Sequence, residues 1–142
     1  MRRFLMFLAA LVAFLAMGAS AAVGDPVKAV YHINQGQDHA VQVLRNVRNH
    51  ITTDPKAKIV VVGHAEGIDF MLRDAKDKNG NPYEVTIQDL VSKGVQFRVC
   101  NITLQTRKID PKLVLEEAKI VPSGVGEIAR LQSQEGYAYV KP

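Results

Sequence analysis

Along the chain, short β-branched runs alternate with longer stretches in which apolar residues recur every three or four positions. "VKAVYHINQ" (Val27 to Gln35) is apolar-rich and ends in polar residues, which predicts a first strand. In "DHAVQVLRNVRNHI", Ala40, Leu44, Val47 and Ile51 fall at helical spacing, with Asp38 as the expected N-cap and "TTDPK" as the stop. "KIVVVGH" is a continuous β-branched run, the pattern of a strand covered on both faces. "AEGIDFMLRDAKDKNGNPY" begins as a short helix or extended segment and ends as a loop over "KDKNGNP".

The second half repeats the alternation. Asn81 is the expected cap of a helix with Pro82 at its first position, Ile87, Leu90 and Val91 on its apolar face, and Gly94 past its end. "VQFRVC" predicts a third strand, "ITLQTRK" a short helix, and Asp110 and Pro111 the start of another over "PKLVLEEAK". "IVPSG" follows; Ser123 is placed to cap a last helix, "GVGEIARLQSQ", which Gly136 stops before a final strand in "YAYVK". Strands alternating with helices predict a mostly parallel sheet with helices on both faces, an α/β fold. No repeat or internal linker interrupts it, so one domain is expected from about Val23 to Pro142.

The first residues belong to a different pattern. Arg2 and Arg3 precede an apolar run from Phe4 to Met17, and "ASAA" then offers small residues, the layout of a secretory signal peptide over residues 1–22. The run is shorter than the ~20 residues that a spanning helix needs, and no Cys follows it as a lipid attachment point. An exported, periplasmic protein with no membrane segment after cleavage is expected. The formal net charge of the whole chain is +4, and the two leader arginines supply half of it. No basic stripe interleaved with aromatics marks a nucleic-acid surface.

With one cysteine, Cys100, the chain cannot close an internal disulfide. That residue is a small buried hydrophobe, a site of intermolecular pairing, or a reactive thiol. In a parallel sheet, ligands and chemistry collect beyond the carboxyl ends of the strands, and Cys100 closes the third one. Asn34, His64 and Glu66 end other strands toward the same edge, and Ser123 and Gly124 join them if "PSGVG" lies on that side. If "ITLQTR" is helical, its free N–H groups favour a Cys100 thiolate, and Arg107 adds positive charge if it folds back. Asn101 is read as the cap of that helix, or as a donor to a bound sulfur or oxyanion. Of His32, His39, His50 and His64, the bases available to a cysteine–histidine hydrolase, only His64 sits at a strand's carboxyl end. No two histidines or cysteines show zinc-ligand spacing, "GVG" is no phosphate fingerprint, and nothing calls for a metal or nucleotide cofactor. "NIT" at Asn101 matches a glycosylation acceptor, a pattern common by chance.

"GVQFRVCNITLQTRKIDP" resembles the signature segment of the DsrE/DsrF-like (YchN-like) family: a Gly-Val, an alternating strand, a Cys at its end, then a short helix with a Leu and a basic residue. "VPSGVGEIARLQSQEGYAYVKP" is similar to the family's closing Ser-Gly turn, last helix and edge strand. The resemblance implies a three-layer α/β/α sandwich with about five strands, assembled as a homo-oligomer, a trimer or hexamer; "YAYVK", with aromatic Tyr137 and Tyr139 on one face, is the expected partner-facing element. In the family's sulfur-relay members, the cysteine matching Cys100 accepts a persulfide and passes it to a partner thiol. The reading for this chain is therefore a persulfide carrier or sulfurtransferase-like protein with Cys100 as its catalytic residue. Asn34, His64, Glu66, Asn101, Ser123 and Gly124 are candidate crevice lining, and the partner is a thiol-containing sulfur donor or acceptor protein. The alternative is a non-catalytic oligomeric binding protein with a structural Cys100. Relay members are cytoplasmic, so the export signal separates this chain from their partners.

N-terminal sequencing of the exported protein is expected to begin at Ala22 or Val23. A mature chain that keeps Arg2 and Phe4 would make the apolar run an anchor instead.

Overall fold

The computed structural model describes residues 24–142; the expected leader lies outside them. Five strands form one sheet: β1 (Lys28–Ile33), β2 (Lys58–Gly63), β3 (Gln96–Cys100), β4 (Ala118–Val121) and β5 (Ala138–Val140). The helices are α1 (Gln37–Thr53), α2 (Tyr83–Ser92), α3 (Asn101–Thr106) and α4 (Gly124–Glu135), with 3-10 segments at Ala65–Met71 and Pro111–Leu113. Strand order is β4-β3-β2-β1-β5, and every pairing is parallel. β2 is covered on both faces, with Ile59 to Gly63 all buried, as its unbroken β-branched run predicts.

Alternation along the strands divides the core in two. Ala29, Tyr31 and Ile33 of β1, Ile59 and Val61 of β2, and Phe97 and Val99 of β3 pack with the α1 stripe Ala40, Val43, Leu44, Val47 and Ile51. Phe70, Met71, Ile87 and Leu90 complete this larger core. On the opposite face Val30, Val60 and Val62 meet Ile128, Leu131 and Tyr137. α4 supplies the helical residues of that second cluster, so the two faces are unequally covered.

Several boundaries differ from the sequence reading. α1 is capped by the extended backbone of Gly36, and Asp38 lies inside the first turn. α2 has Pro82 at its N-cap; Asn81 is engaged instead with Asp77, its backbone N–H donating to Oδ1 at 2.9 Å and its side-chain amide to Oδ2 at 3.0 Å. Gly94 does end α2 in a left-handed conformation, with φ 92°. "PKLVLEEAK" is not a helix beyond its single 3-10 turn, which Asp110 caps by accepting from the Lys112 N–H at 2.9 Å. The reason is tertiary. Arg73 N–H donates to the Leu113 carbonyl at 2.7 Å and Leu115 N–H to the Met71 carbonyl at 3.0 Å, so this stretch is committed to the chain leaving Met71. Val114 and Leu115 are consecutive buried residues, which an amphipathic surface helix rarely allows. Tyr137, expected to face a partner, is buried under α4, and Tyr139 alone of the pair is exposed.

After β2 the chain folds back over the end of β1. His64 N–H donates to the Ile33 carbonyl at 3.1 Å and Gly67 N–H to the His64 carbonyl at 2.9 Å. A Cβ at Gly67 would sit 2.2 Å from the Ile33 carbonyl oxygen, and one at Gly63 2.4 Å from the Gly67 carbonyl oxygen. Both obstructions are backbone, so they cannot rotate away. Gly67→Ala is expected to lower unfolding free energy in urea by about 2–3 kcal/mol, the cost of forcing extra volume into a packed site. A change under about 0.5 kcal/mol would show that the corner is not closely packed.

Candidate active site

Cys100 is the last residue of β3 and the N-cap of α3, and only 5% of it is exposed. It stands where the chain departs to opposite faces of the sheet. α3 sends Leu104 into the larger core, whereas α4, entered from β4, sends Ile128 and Leu131 into the smaller one. Adjacent strands with diverging exits leave a gap at the sheet edge, the place where α/β folds bind ligands. Burial pushes the Cys100 thiol up. Hydrogen bonds from the Gly124 N–H, the Thr103 N–H and hydroxyl, and the Ile102 N–H outweigh it, and the thiol stands below its ordinary value.

Gly124 makes this convergence sterically feasible. A Cβ there would lie 3.1 Å from the Cβ of Cys100, 3.1 Å from the Cβ of His64 and 3.3 Å from the Gly63 carbonyl oxygen. Cys100 and His64 are therefore neighbours on one face, in keeping with the pairing of Gly63 with Val99. Thr103 ties the two together: its hydroxyl accepts the Ala65 N–H at 2.9 Å and is among the groups that lower the thiol. Ala65 has φ 51°, a left-handed conformation for a residue with a Cβ. Thr103 holds its N–H, and Arg107 donates to its carbonyl at 3.0 Å and to Asp69 at 2.6 Å. Arg107 thus folds back onto the segment after His64, not onto the sulfur.

His64 does not stand alone. Its Nε2 lies 2.7 Å from Nε2 of His32, with the ring planes 23° apart, and His32 Nδ1 lies 2.6 Å from the Tyr139 hydroxyl. Burial, then the charge of Lys141, then His64 lower His32 to about 4, and burial followed by Lys141 lowers His64. Both rings are thereby held neutral at pH 7. Lys141 in turn donates to the Asn34 side-chain oxygen.

Of the sequence-predicted site residues, the structure brings together Cys100, His64 and Gly124. Asn34 belongs to the adjoining Lys141 contact. Ser123 caps α4, its hydroxyl accepting the Gly126 N–H at 3.2 Å. Glu66 lies toward Gly36, at 3.5 Å from where a Cβ there would stand. Asn101 is the first helical residue of α3 and does not cap it, since Cys100 holds that position and no side chain bonds the cap. The sequence offers His32 only as one of four available bases and Tyr139 only as a partner-facing residue, and it does not single out Lys141. The alternation in "VYHI" already sets His32 on the face opposite Tyr31 and Ile33. Only the pairing of β1 with both β2 and β5, Val30 opposite Val60 and Tyr139, assembles the row. A separate concavity of about 240 Å³, lined by Val41, Leu44, Arg45, Tyr83 and Thr86, lies on the α1–α2 side. Among the described residues no three His, Cys, Asp or Glu side chains gather at metal-binding separation.

The lowered histidine has a signed consequence for stability. Unfolded His32 takes up a proton near its ordinary 6.5, whereas folded His32 resists until about 4. Stability is thus unaffected by this group above pH 6.5, falls as pH drops from 6.5 to 4, and levels off below. Urea midpoints are expected to decline across that window less steeply in His32→Gln than in the wild type. Equal slopes would mean that His32 is free to protonate in the fold.

A profile of the DsrE/DsrF-like family matches residues 7–142. No curated protein matches the chain at a significant level. Among solved structures, a protein of unknown function from Methanobacterium thermoautotrophicum, MTH1491, is 32% identical with a TM-score of 0.73, over 82% of this chain and 99% of that one. The YchN protein of E. coli shares the fold at 13% identity and a TM-score of 0.66, over 84% of this chain and 100% of that one. With its parallel five-stranded sheet and a family match across nearly its whole length, the chain belongs to the DsrE/DsrF-like family.

Proposed function

We propose that this protein is an exported sulfur carrier, sulfurtransferase-like in its chemistry, in which Cys100 takes up sulfane sulfur and passes it to a partner thiol. The observation that carries the reading is the place of the sulfur: Cys100 ends β3 and caps α3 beside Gly124 and His64, where the N–H groups of Gly124, Thr103 and Ile102 and the Thr103 hydroxyl hold the thiol below its ordinary value despite its burial. Such a setting raises the thiolate fraction near neutral pH, and the thiolate is the species that attacks a sulfur donor. In uptake, the Cys100 thiolate bonds to the outer sulfur of the donor persulfide, and the donor leaves as a thiolate. In delivery, a partner thiolate attacks that outer sulfur and Cys100 is released unchanged. Export to the periplasm follows from the leader. Assembly as a trimer or hexamer is supported by the apolar surface left on α4, where Val125 remains 58% exposed.

A second reading has its own observation. At 5% exposure Cys100 resembles a core residue, and a non-catalytic oligomeric binding protein would use it for packing alone.

The two separate cleanly. For a carrier, native protein incubated with a persulfide donor gains the mass of one sulfur atom, Cys100→Ala does not, and native alkylation near neutral pH outpaces that in urea. Thr103→Val is expected to raise the midpoint of native alkylation by up to about one pH unit, the worth of one hydrogen bond to an anion. Labelling only after unfolding, with a loss of about 1–3 kcal/mol in Cys100→Ala, would identify a packing residue.

A further inference from the structure

A thiol 5% exposed needs a route by which its proton leaves and returns, and the sheet face beside Cys100 holds a row of polar groups that ends in solvent. His64 Nε2, His32 Nε2, His32 Nδ1 and the Tyr139 hydroxyl follow one another at 2.7 and 2.6 Å, and Tyr139 is 45% exposed. These contacts engage Nε2 of His64. Among the described residues its Nδ1, the ring nitrogen on the Cβ side, has no hydrogen-bond partner. That same Cβ shares with the Cβ of Cys100 a position 3.1 Å from the point above Gly124. One arrangement of protons makes the row a base: His64 Nε2–H donates to His32 Nε2, His32 Nδ1–H donates to the Tyr139 oxygen, and His64 Nδ1 keeps a free lone pair on a ring whose Cβ neighbours that of Cys100.

We propose that His64 is the acid–base partner of Cys100, held in the required tautomer by His32 and Tyr139, so that these three side chains form a proton relay between the buried thiol and solvent.

The inference rests on the sulfur-carrier reading of Cys100 and assigns the proton traffic of that reaction. In uptake from a donor R–S–SH, the Cys100 S–H proton passes to His64 Nδ1. The thiolate bonds to the donor's outer sulfur, the donor's S–S bond breaks, and the departing RS⁻ takes the proton from the His64 imidazolium. The products are the Cys100 persulfide and RSH, with no net oxidation. His32 and Tyr139 are positioning residues. His32 accepts the imidazolium's other N–H in a charge-assisted bond, which favours the transfer, and Tyr139, bonded to His32 Nδ1, connects the row to water.

The surrounding charges set how long the proton stays. Lys141, beyond β5 and tied to Asn34, opposes an imidazolium on either ring. Arg98, two residues before Cys100 on the same face, is paired with Glu127 of α4. Tyr139 and Cys100 are the other titratable groups on this face beside the pair. Among the described residues no carboxylate is placed to hold the proton on His64, so it is passed on, as an acid–base catalyst near neutral pH requires.

The test is single-turnover sulfur uptake from glutathione persulfide between pH 5.5 and 9. His64→Gln is expected to slow uptake at pH 7 by about 10²-fold, with the deficit shrinking at pH values where the thiol ionises unaided. His32→Leu is expected to lose roughly tenfold, and His32→Gln, whose amide restores a hydrogen bond to His64, to recover part of it. Wild-type rates in His64→Gln and His32→Leu across the range, with Cys100→Ala inert, would overturn the relay and leave the carrier intact. No uptake by the wild-type protein would remove the carrier reading and the relay with it. A measurement on unmutated protein guards against misfolded variants: the ¹⁵N resonances of the His64 ring should move when Cys100 is alkylated. Unmoved resonances would sink the relay.

Discussion

Two strand ends and a helix start meet at one atom's worth of space above Gly124, and much of the molecule is arranged around that meeting. The carboxyl ends of β2 and β3 and the first turn of α4 approach so closely that a methyl group would press on Cys100, His64 and the Gly63 carbonyl at once, at 3.1 to 3.3 Å. The absence of a side chain lets an α4 N–H reach the sulfur. That contact offsets the desolvation which burial alone would impose on a thiolate. The same approach sets α4 down on the second face of the sheet, where Ile128 and Leu131 complete the small cluster with Val30, Val60 and Val62.

The corner beside it is built with comparable constraint. Gly63 and Gly67 let the chain double back over the end of β1, and Ala65 takes a left-handed conformation between them. Such a conformation in a residue with a Cβ persists where neighbours hold it. Here the holders are Thr103 of the helix that begins just after Cys100 and Arg107 at that helix's C-cap. The thiol, its donors and the neighbouring histidine are thus joined through α3, so a displacement of that helix disturbs the sulfur and His64 together.

The two faces of the sheet are specialised by how they are covered. The face under α1, α2 and the 3-10 segments carries the larger apolar core. The face under α4 carries the smaller core together with Arg98–Glu127, His32, His64 and Tyr139. Polar chemistry has settled where packing leaves room and water has access, because an ionisable group is costly to bury where no partner or solvent can reach it.

The order and type of the elements were legible in the sequence because each depends on local periodicity. The β-branched run of β2, the three-to-four spacing of α1, the Ser123 cap and the Gly136 stop of α4 all stand in the structure as the pattern implies. The position of Cys100 at a strand end and helix start was legible for the same reason. The residues Val114 to Ala118 misled, since their conformation is settled by hydrogen bonds to Met71 and Arg73 some forty positions earlier. Asp38 and Asn81 misled as caps because neighbouring backbone and Asp77 decided the helix starts. The row from Tyr139 through His32 to His64 spans more than a hundred residues of chain, and no local pattern encodes it. It exists because β1 pairs with β2 on one side and β5 on the other in parallel register, and strand order is a property of the packed sheet alone.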